Sequence, residues 1–248
     1  MISRIEVKLA RLAHSIFYFF VWSLMFIAFT PFCRVRVEGK SNIPKKGRYI
    51  IAANHKNFFD GFFLTFALGP FKIVRFIIAK RALKRRWARI LAILMGSVLI
   101  GNELDDYQKA LKKLNRILSH GGKIGIFPEG NISKRKVPGR FKGGVAKLSL
   151  DSKSKVVPVY IEGTYNLRYF KYWLKTPEIV LKIGKPVDLY NYASSGNNLD
   201  QMAAVLREKI ISLAKGFELE SDSDSSFDEE LTFGAYKSNQ RETIGNAL

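Results

Sequence analysis

His55 and Asp60 stand five residues apart, directly after a run, Tyr49–Ala53, that reads as a buried strand. A histidine leaving the carboxyl end of a strand sits where α/β sheets place their sites. If Asp60 enters the first turn of the next helix, its carboxylate can fold back onto one ring nitrogen of His55. That contact fixes the tautomer, stabilises the imidazolium and leaves the other nitrogen as a general base. A structural histidine at a helix start has the same signature, and spacing alone leaves both readings open.

A second candidate is Ile124-Gly125-Ile126-Phe127-Pro128-Glu129-Gly130, a strand ending in a turn, followed by Lys134, Arg135, Lys136, Arg140 and Lys142. Backbone N–H groups beside a basic cluster suit an anion. Gly125 and Gly130 have the separation of a nucleotide-binding P-loop, but Asn131 and Ile132 occupy the places of its Lys and Ser/Thr, which excludes that reading. Neither a dinucleotide fingerprint, a nucleophile elbow nor a zinc-protease motif occurs. The single cysteine, Cys33, excludes an intrachain disulfide. His14, His55 and His120 lie too far apart in sequence to suggest a histidine-rich metal site.

These residues need a scaffold, and the apolar pattern predicts one. Candidate strands are Val35–Glu38, Tyr49–Ala53, Ile73–Ala79, Ser97–Ile100, Lys123–Phe127, Val156–Ile161 and Glu178–Ile183. Candidate helices are Phe62–Leu68, Ala82–Met95, Asp105–Ser119, Gly144–Leu150 and Gln201–Ala214. Strands alternating with helices predict an α/β fold: a mixed, mostly parallel sheet flanked by helices.

The chain has 248 residues and a formal net charge of +20, and 47% of its residues are hydrophobic. Residues 216–248 carry a net −6, leaving +26 on residues 1–215. The serine-rich acidic tail predicts a solvated, disordered appendage. The basic body calls for an anionic partner. No nucleic-acid-binding module accompanies the run Lys80–Arg89, so anionic lipid fits it better than nucleic acid. Ile16–Phe29 lacks charge, is rich in aromatic residues and follows Arg4, Lys8 and Arg11. It predicts a short membrane anchor with its basic flank on the cytoplasmic face, spanning the bilayer or lying on it. The expected organisation is an anchor over 1–33, a catalytic domain over 34–215 and the tail over 216–248.

Asn54-His55-x4-Asp60 and Phe127-Pro128-Glu129-Gly130 resemble the first and third motifs of glycerolipid acyltransferases of the lysophosphatidic acid acyltransferase type. Gly96-Ser97-Val98-Leu99-Ile100 and Val157-Pro158-Val159 resemble the second and fourth, and the order and intervals agree across residues 34 to 190. The resemblance implies His55 as base, oriented by Asp60, acting on the hydroxyl of a lysolipid. The acyl donor would be acyl-coenzyme A or acyl carrier protein, used as co-substrate, with no bound cofactor and no metal. It implies substrate contacts at Asn54, Glu129 and Gly130.

The chain departs from that family where arginines usually hold the acceptor phosphate, since Asn102 and Ile132 stand in their places. Neither side chain can grip phosphate as arginine does. Lys80, Arg81, Lys134 and Arg135 are then the expected substitutes. Two alternatives remain: a different lysolipid acceptor, such as lyso-ornithine lipid, or an inactive membrane-bound lipid-binding protein.

Overall fold

The computed structural model describes residues 4–214, apart from 102, 136, 194, 195 and 197. The predicted tail and Asn102 lie outside the described residues, and so does Lys136.

Strands β1 (Arg34–Glu38), β2 (Tyr49–Ala53), β3 (Val74–Ala79), β4 (Val98–Ile100), β5 (Lys123–Ile126), β6 (Val156–Glu162) and β7 (Glu178–Ile183) form one sheet. Their order is β1-β7-β6-β2-β5-β3-β4. Five neighbours, β6 to β4 in that order, run parallel; β7 is antiparallel to β6, and β1 runs parallel to β7. The expected mixed, mostly parallel sheet is therefore present.

Around it lie α1 (Arg4–Phe29), α2 (Asp60–Leu68), α3 (Arg86–Leu94), α4 (Leu104–Ser119), α5 (Gly144–Ser152), α6 (Phe170–Trp173), α7 (Leu189–Ala193) and α8 (Leu199–Ser212). Every residue of β2 is buried. Alternation along the strand explains why its sequence has no polar position. Tyr49, Ile51 and Ala53 join the core with α2, β6 and β7, whereas Ile50 and Ala52 join the core with α4, α5 and α8. A central parallel strand covered on both faces must be apolar throughout.

The predicted helix Ala82–Met95 is interrupted. A 3-10 turn over Lys80–Ala82 and extended backbone at Arg85 precede α3. Leu83 accounts for the break: its side chain is buried, and its carbonyl accepts from Arg89 Nε at 3.0 Å. Tertiary burial of one leucine outweighs the local helical pattern. Helices α6 and α7 have four and five residues, too few for apolar periodicity to reveal them. Helix α8 starts two residues before its predicted beginning, at a capping box: Gln201 N donates to Asn198 Oδ1 at 2.9 Å and Asn198 N to Gln201 Oε1 at 2.8 Å.

Helix α1 has 26 residues, a length of about 39 Å at helical rise. One stripe, Tyr18, Trp22, Phe26 and Phe29, repeats at helical spacing and faces the domain. Phe26 stacks on Phe66 at 5.2 Å, Phe29 meets Phe62 at 4.7 Å, and Trp22 Nε1 donates to the Thr65 carbonyl at 3.2 Å. The other stripe, Leu12, Ile16, Phe20, Leu24 and Ile27, is exposed. Residues Leu12–Phe29 are long and apolar enough to make α1 a candidate membrane segment.

Candidate functional site

Sheet order brings the candidate residues together. Strands β2, β5 and β3 are adjacent and parallel. Their carboxyl ends therefore deliver Asn54-His55, Phe127-Pro128-Glu129-Gly130 and Lys80-Arg81 to one edge.

Asp60 is the first residue of α2 and is fully buried. Its Oδ2 accepts from His55 Nδ1 at 2.9 Å, from the Lys56 N–H at 2.6 Å and from the Asn57 N–H at 2.8 Å. The backbone turn therefore fixes the carboxylate before the histidine meets it. An ionised carboxylate only accepts, so His55 must carry its proton on Nδ1. Nε2 is then an acceptor, and it has no hydrogen bond among the described residues. The His55 side chain is 18% exposed, so the ring is sheltered without being sealed from solvent.

The loop after β5 is attached to the histidine backbone. His55 N donates to Glu129 Oε1 at 2.9 Å, and Ser133 N donates to the His55 carbonyl at 2.8 Å. Glu129 Oε2 accepts from Gly139 N, also at 2.9 Å. Both carboxylate oxygens of Glu129 are thus used in holding the loop. Asn54 is occupied in the same way: Nδ2 donates to the Ile161 carbonyl at 2.8 Å, and Oδ1 accepts from Ile161 N at 2.7 Å. Asn54 and Glu129, expected as substrate contacts, are both buried and hydrogen-bonded to backbone groups, as buried polar groups usually are. Gly130 adopts φ +73°, a left-handed conformation that favours glycine. The Lys142 side chain lies against it, since a Cβ there would stand 3.1 Å from Lys142 Nζ.

The cations divide by partner. Lys80 Nζ is paired with Asp106 Oδ2 at 3.0 Å. Arg81 Nη2 reaches Asn131 Oδ1 at 3.4 Å, one residue before Ile132. Lys134 and Arg135 are exposed on the same loop. Lys56, which the sequence does not single out beyond its place beside His55, is buried; its Nζ donates to the Arg135 carbonyl. Burial pulls its pKa below the ordinary lysine value, partly offset by Glu129 and Asp60. Phe127 is the other residue whose part the motif alone does not reveal: its ring lies parallel to the His55 imidazole, with centroids 4.0 Å apart. Among the described residues, no three His, Cys, Asp or Glu side chains converge as metal ligands.

Comparison with known proteins bears on family and fold. Residues 34–162 match the acyltransferase family model. A 1-acyl-sn-glycerol-3-phosphate acyltransferase of Borreliella burgdorferi is 34% identical over 137 residues, covering 54% of this chain and 53% of that protein. The Bacillus subtilis protein of the same name is 24% identical over 178 residues, 71% of this chain and 86% of the relative. The match thus spans about half the length of the Borreliella burgdorferi protein. In fold, the chain is similar to the crystal structure of the 1-acyl-sn-glycerophosphate acyltransferase from Thermotoga maritima. Their TM-score is 0.62 at 24% identity, covering 88% of this chain and 86% of that one.

Proposed function

Because the chain belongs to the acyltransferase family, we propose that it moves a fatty acyl group from an acyl thioester to the free hydroxyl of lysophosphatidic acid, yielding phosphatidic acid. The observation that carries this reading is the His55 imidazole, held through Nδ1 by a buried carboxylate, with Nε2 left to accept a proton. His55 Nε2 takes the proton of the acceptor hydroxyl as its oxygen attacks the thioester carbonyl. The new C–O bond gives a tetrahedral intermediate, which collapses with cleavage of the C–S bond. The proton on His55 passes to the departing thiolate, returning the imidazole to its starting state. The negative charge of Asp60 favours the imidazolium that exists between the two transfers.

The donor in this proposal is acyl-coenzyme A or acyl carrier protein, both strongly anionic and suited to the basic body. For the acceptor phosphate, Arg81 is the leading ligand. Its guanidinium lies beside Asn131, next to the place where the resemblance expects an arginine. Lys134 and Arg135 add positive potential on the same loop, whereas Lys80 has a carboxylate of its own. Gly130 shapes the turn that presents them.

The enzyme acts on membranes in this reading, with the exposed stripe of α1 in the bilayer and the basic flank on the cytoplasmic side. The apolar residues Ile90, Leu91, Ile93 and Leu94 of α3 are exposed beside Lys84, Arg85, Arg86 and Arg89, a combination suited to an anionic lipid surface.

The test is a membrane assay that pairs each donor with lysophosphatidic acid, lysophosphatidylcholine, lysophosphatidylethanolamine and lyso-ornithine lipid. Turnover of lysophosphatidic acid that disappears in His55→Ala, with vesicle binding retained, is the expected result. Turnover of lyso-ornithine lipid alone would move the acceptor to a head group without phosphate. Equal lipid binding with no turnover of any acceptor would identify a binding protein.

A further inference from the structure

A ring stack meets the face of the His55 imidazole, whereas Asp60 meets its edge at Nδ1. The His55 and Phe127 rings are inclined by 12° with centroids 4.0 Å apart. Behind Phe127 lies Phe76, again inclined by 12°, with centroids 6.0 Å apart. Phe76 has this place because Gly125 lacks a side chain, while Gly61 packs beside both rings. A Cβ on Gly125 would stand 2.3 Å from Phe76 Cε1, a clash no aromatic ring could absorb without moving. A Cβ on Gly61 would make only ordinary contacts, 3.8 Å from Phe76 and 4.0 Å from Phe127. The Phe127 ring is thus backed by a second ring packed directly against the backbone of β5.

We infer that Phe127 is a positioning residue for the reaction, holding the His55 imidazole by its face and stabilising the imidazolium that forms during proton transfer. The inference rests on the acyltransferase reading of His55. Asp60 restrains the imidazole in its own plane, through Nδ1. Phe127 restrains it perpendicular to that plane, so rotation about either direction breaks a contact. The electrostatic part follows from the ring quadrupole, whose negative face attracts a cation far more than a neutral ring. Neutral His55 gains little from that face, while protonated His55 gains more. Stabilisation that grows as the reaction proceeds lowers the barrier, and equal binding of both states would not. The positive charge thereby meets a carboxylate at its edge and a π-face on its flat side.

Sequence spacing could not disclose this contact. Phe127 and His55 are separated by 72 positions and meet because β2 and β5 are paired, with Ala52 opposite Ile126. One residue beyond that pair, the chain carries Ala53 and Phe127, and the loop places His55 over the latter ring.

The experiment replaces Phe127 with mono-, di- and trifluorophenylalanine in the full chain and measures acyl transfer in membranes. Fluorine leaves the ring shape nearly constant while draining negative charge from its face. The expected result is a stepwise fall in kcat, reaching about tenfold for the trifluoro ring, with KM within about twofold of the parent. Phe127→Tyr should stay close to the parent, whereas Phe127→Leu should lose about tenfold or more in kcat at unchanged KM. A flat fluorine series in an active protein overturns this inference alone. Absence of acyl transfer in the unsubstituted protein overturns both the inference and the reading beneath it.

Discussion

Oδ2 of Asp60 receives His55 Nδ1 at 2.9 Å while also receiving the N–H groups of Lys56 and Asn57. One buried oxygen thus connects the imidazole to the turn that presents it. Asp60→Asn disturbs both functions, because an amide placed there turns either its NH2 toward N–H donors or a weaker acceptor toward the imidazole. We expect kcat to fall by about 10²- to 10⁴-fold. Comparison with His55→Ala checks the assignment: the double variant should be little worse than either single one, since the two residues act as a unit.

Glu129 predicts a stability effect together with the functional one. Its two oxygens accept from His55 N and Gly139 N. Glu129→Gln leaves one of these donors facing an amide N–H. Stability should drop by about 1–3 kcal/mol, the cost of a buried donor left without its partner. Denaturant unfolding of the variant and parent measures it.

Arg81 and Lys80 are neighbours in sequence with different partners, Asn131 and Asp106. Arg81→Ala should raise KM for lysophosphatidic acid by about tenfold or more, the worth of a charge-assisted hydrogen bond. Lys80→Ala should change it much less. Steady-state kinetics with varied acceptor separates the two, and equal effects would remove Arg81 from its leading place.

Membrane contact through α3 makes a prediction in salt and charge. Lys84, Arg85 and Arg86 are exposed at its start, beside exposed Ile90 and Ile93. Replacing the three cations by glutamate should weaken binding to anionic vesicles by at least about a hundredfold, given about 1 kcal/mol per basic residue near such a surface. Sedimentation with acidic and neutral vesicles reads the difference, which should shrink at high salt.

Tyr49 carries the clearest pH signature of the fold. It is fully buried, its hydroxyl lacks a hydrogen-bond partner among the described residues, and burial raises its pKa from 10.0 to about 12. In the unfolded chain the phenol ionises first, so the folded state holds more protons between those values. Stability therefore declines as pH rises from about 10 toward 12 and is unaffected by this group below that window. Tyr49→Phe should remove this group's part of that decline and add about 1 kcal/mol at neutral pH by deleting an unpartnered hydroxyl. Unfolding curves between neutral pH and the alkaline range provide the check.

The central strands were legible because a sheet covered on both faces leaves short apolar runs such as Tyr49–Ala53, bounded by polar turns. Strand β1 was legible by its alternation of valine with charged residues. The His55–Asp60 pair was legible because strand end, turn and helix start are consecutive, so local geometry alone brings residues five apart into contact. The break before α3 was hidden, since apolar periodicity does not show where Leu83 will be buried. The backbone partners of Asn54 and Glu129 were hidden as well. Sequence names a polar group without saying what already occupies it, and here the occupants, Ile161 and Gly139, lie 107 and 10 positions away.

The sequence by itself determined the apolar strands, the pairing of His55 with Asp60, the basic loop and the apolar character of α1, all features of residue type at short range. Only the tertiary structure decided which cations keep a carboxylate partner, which polar side chains are used as clamps, and which ring covers the imidazole. Those depend on strand order, because β5 lies between β2 and β3 in the sheet although it follows both in the chain. Apolar periodicity specifies which face of each strand is buried. It carries no record of which strand will be the neighbour.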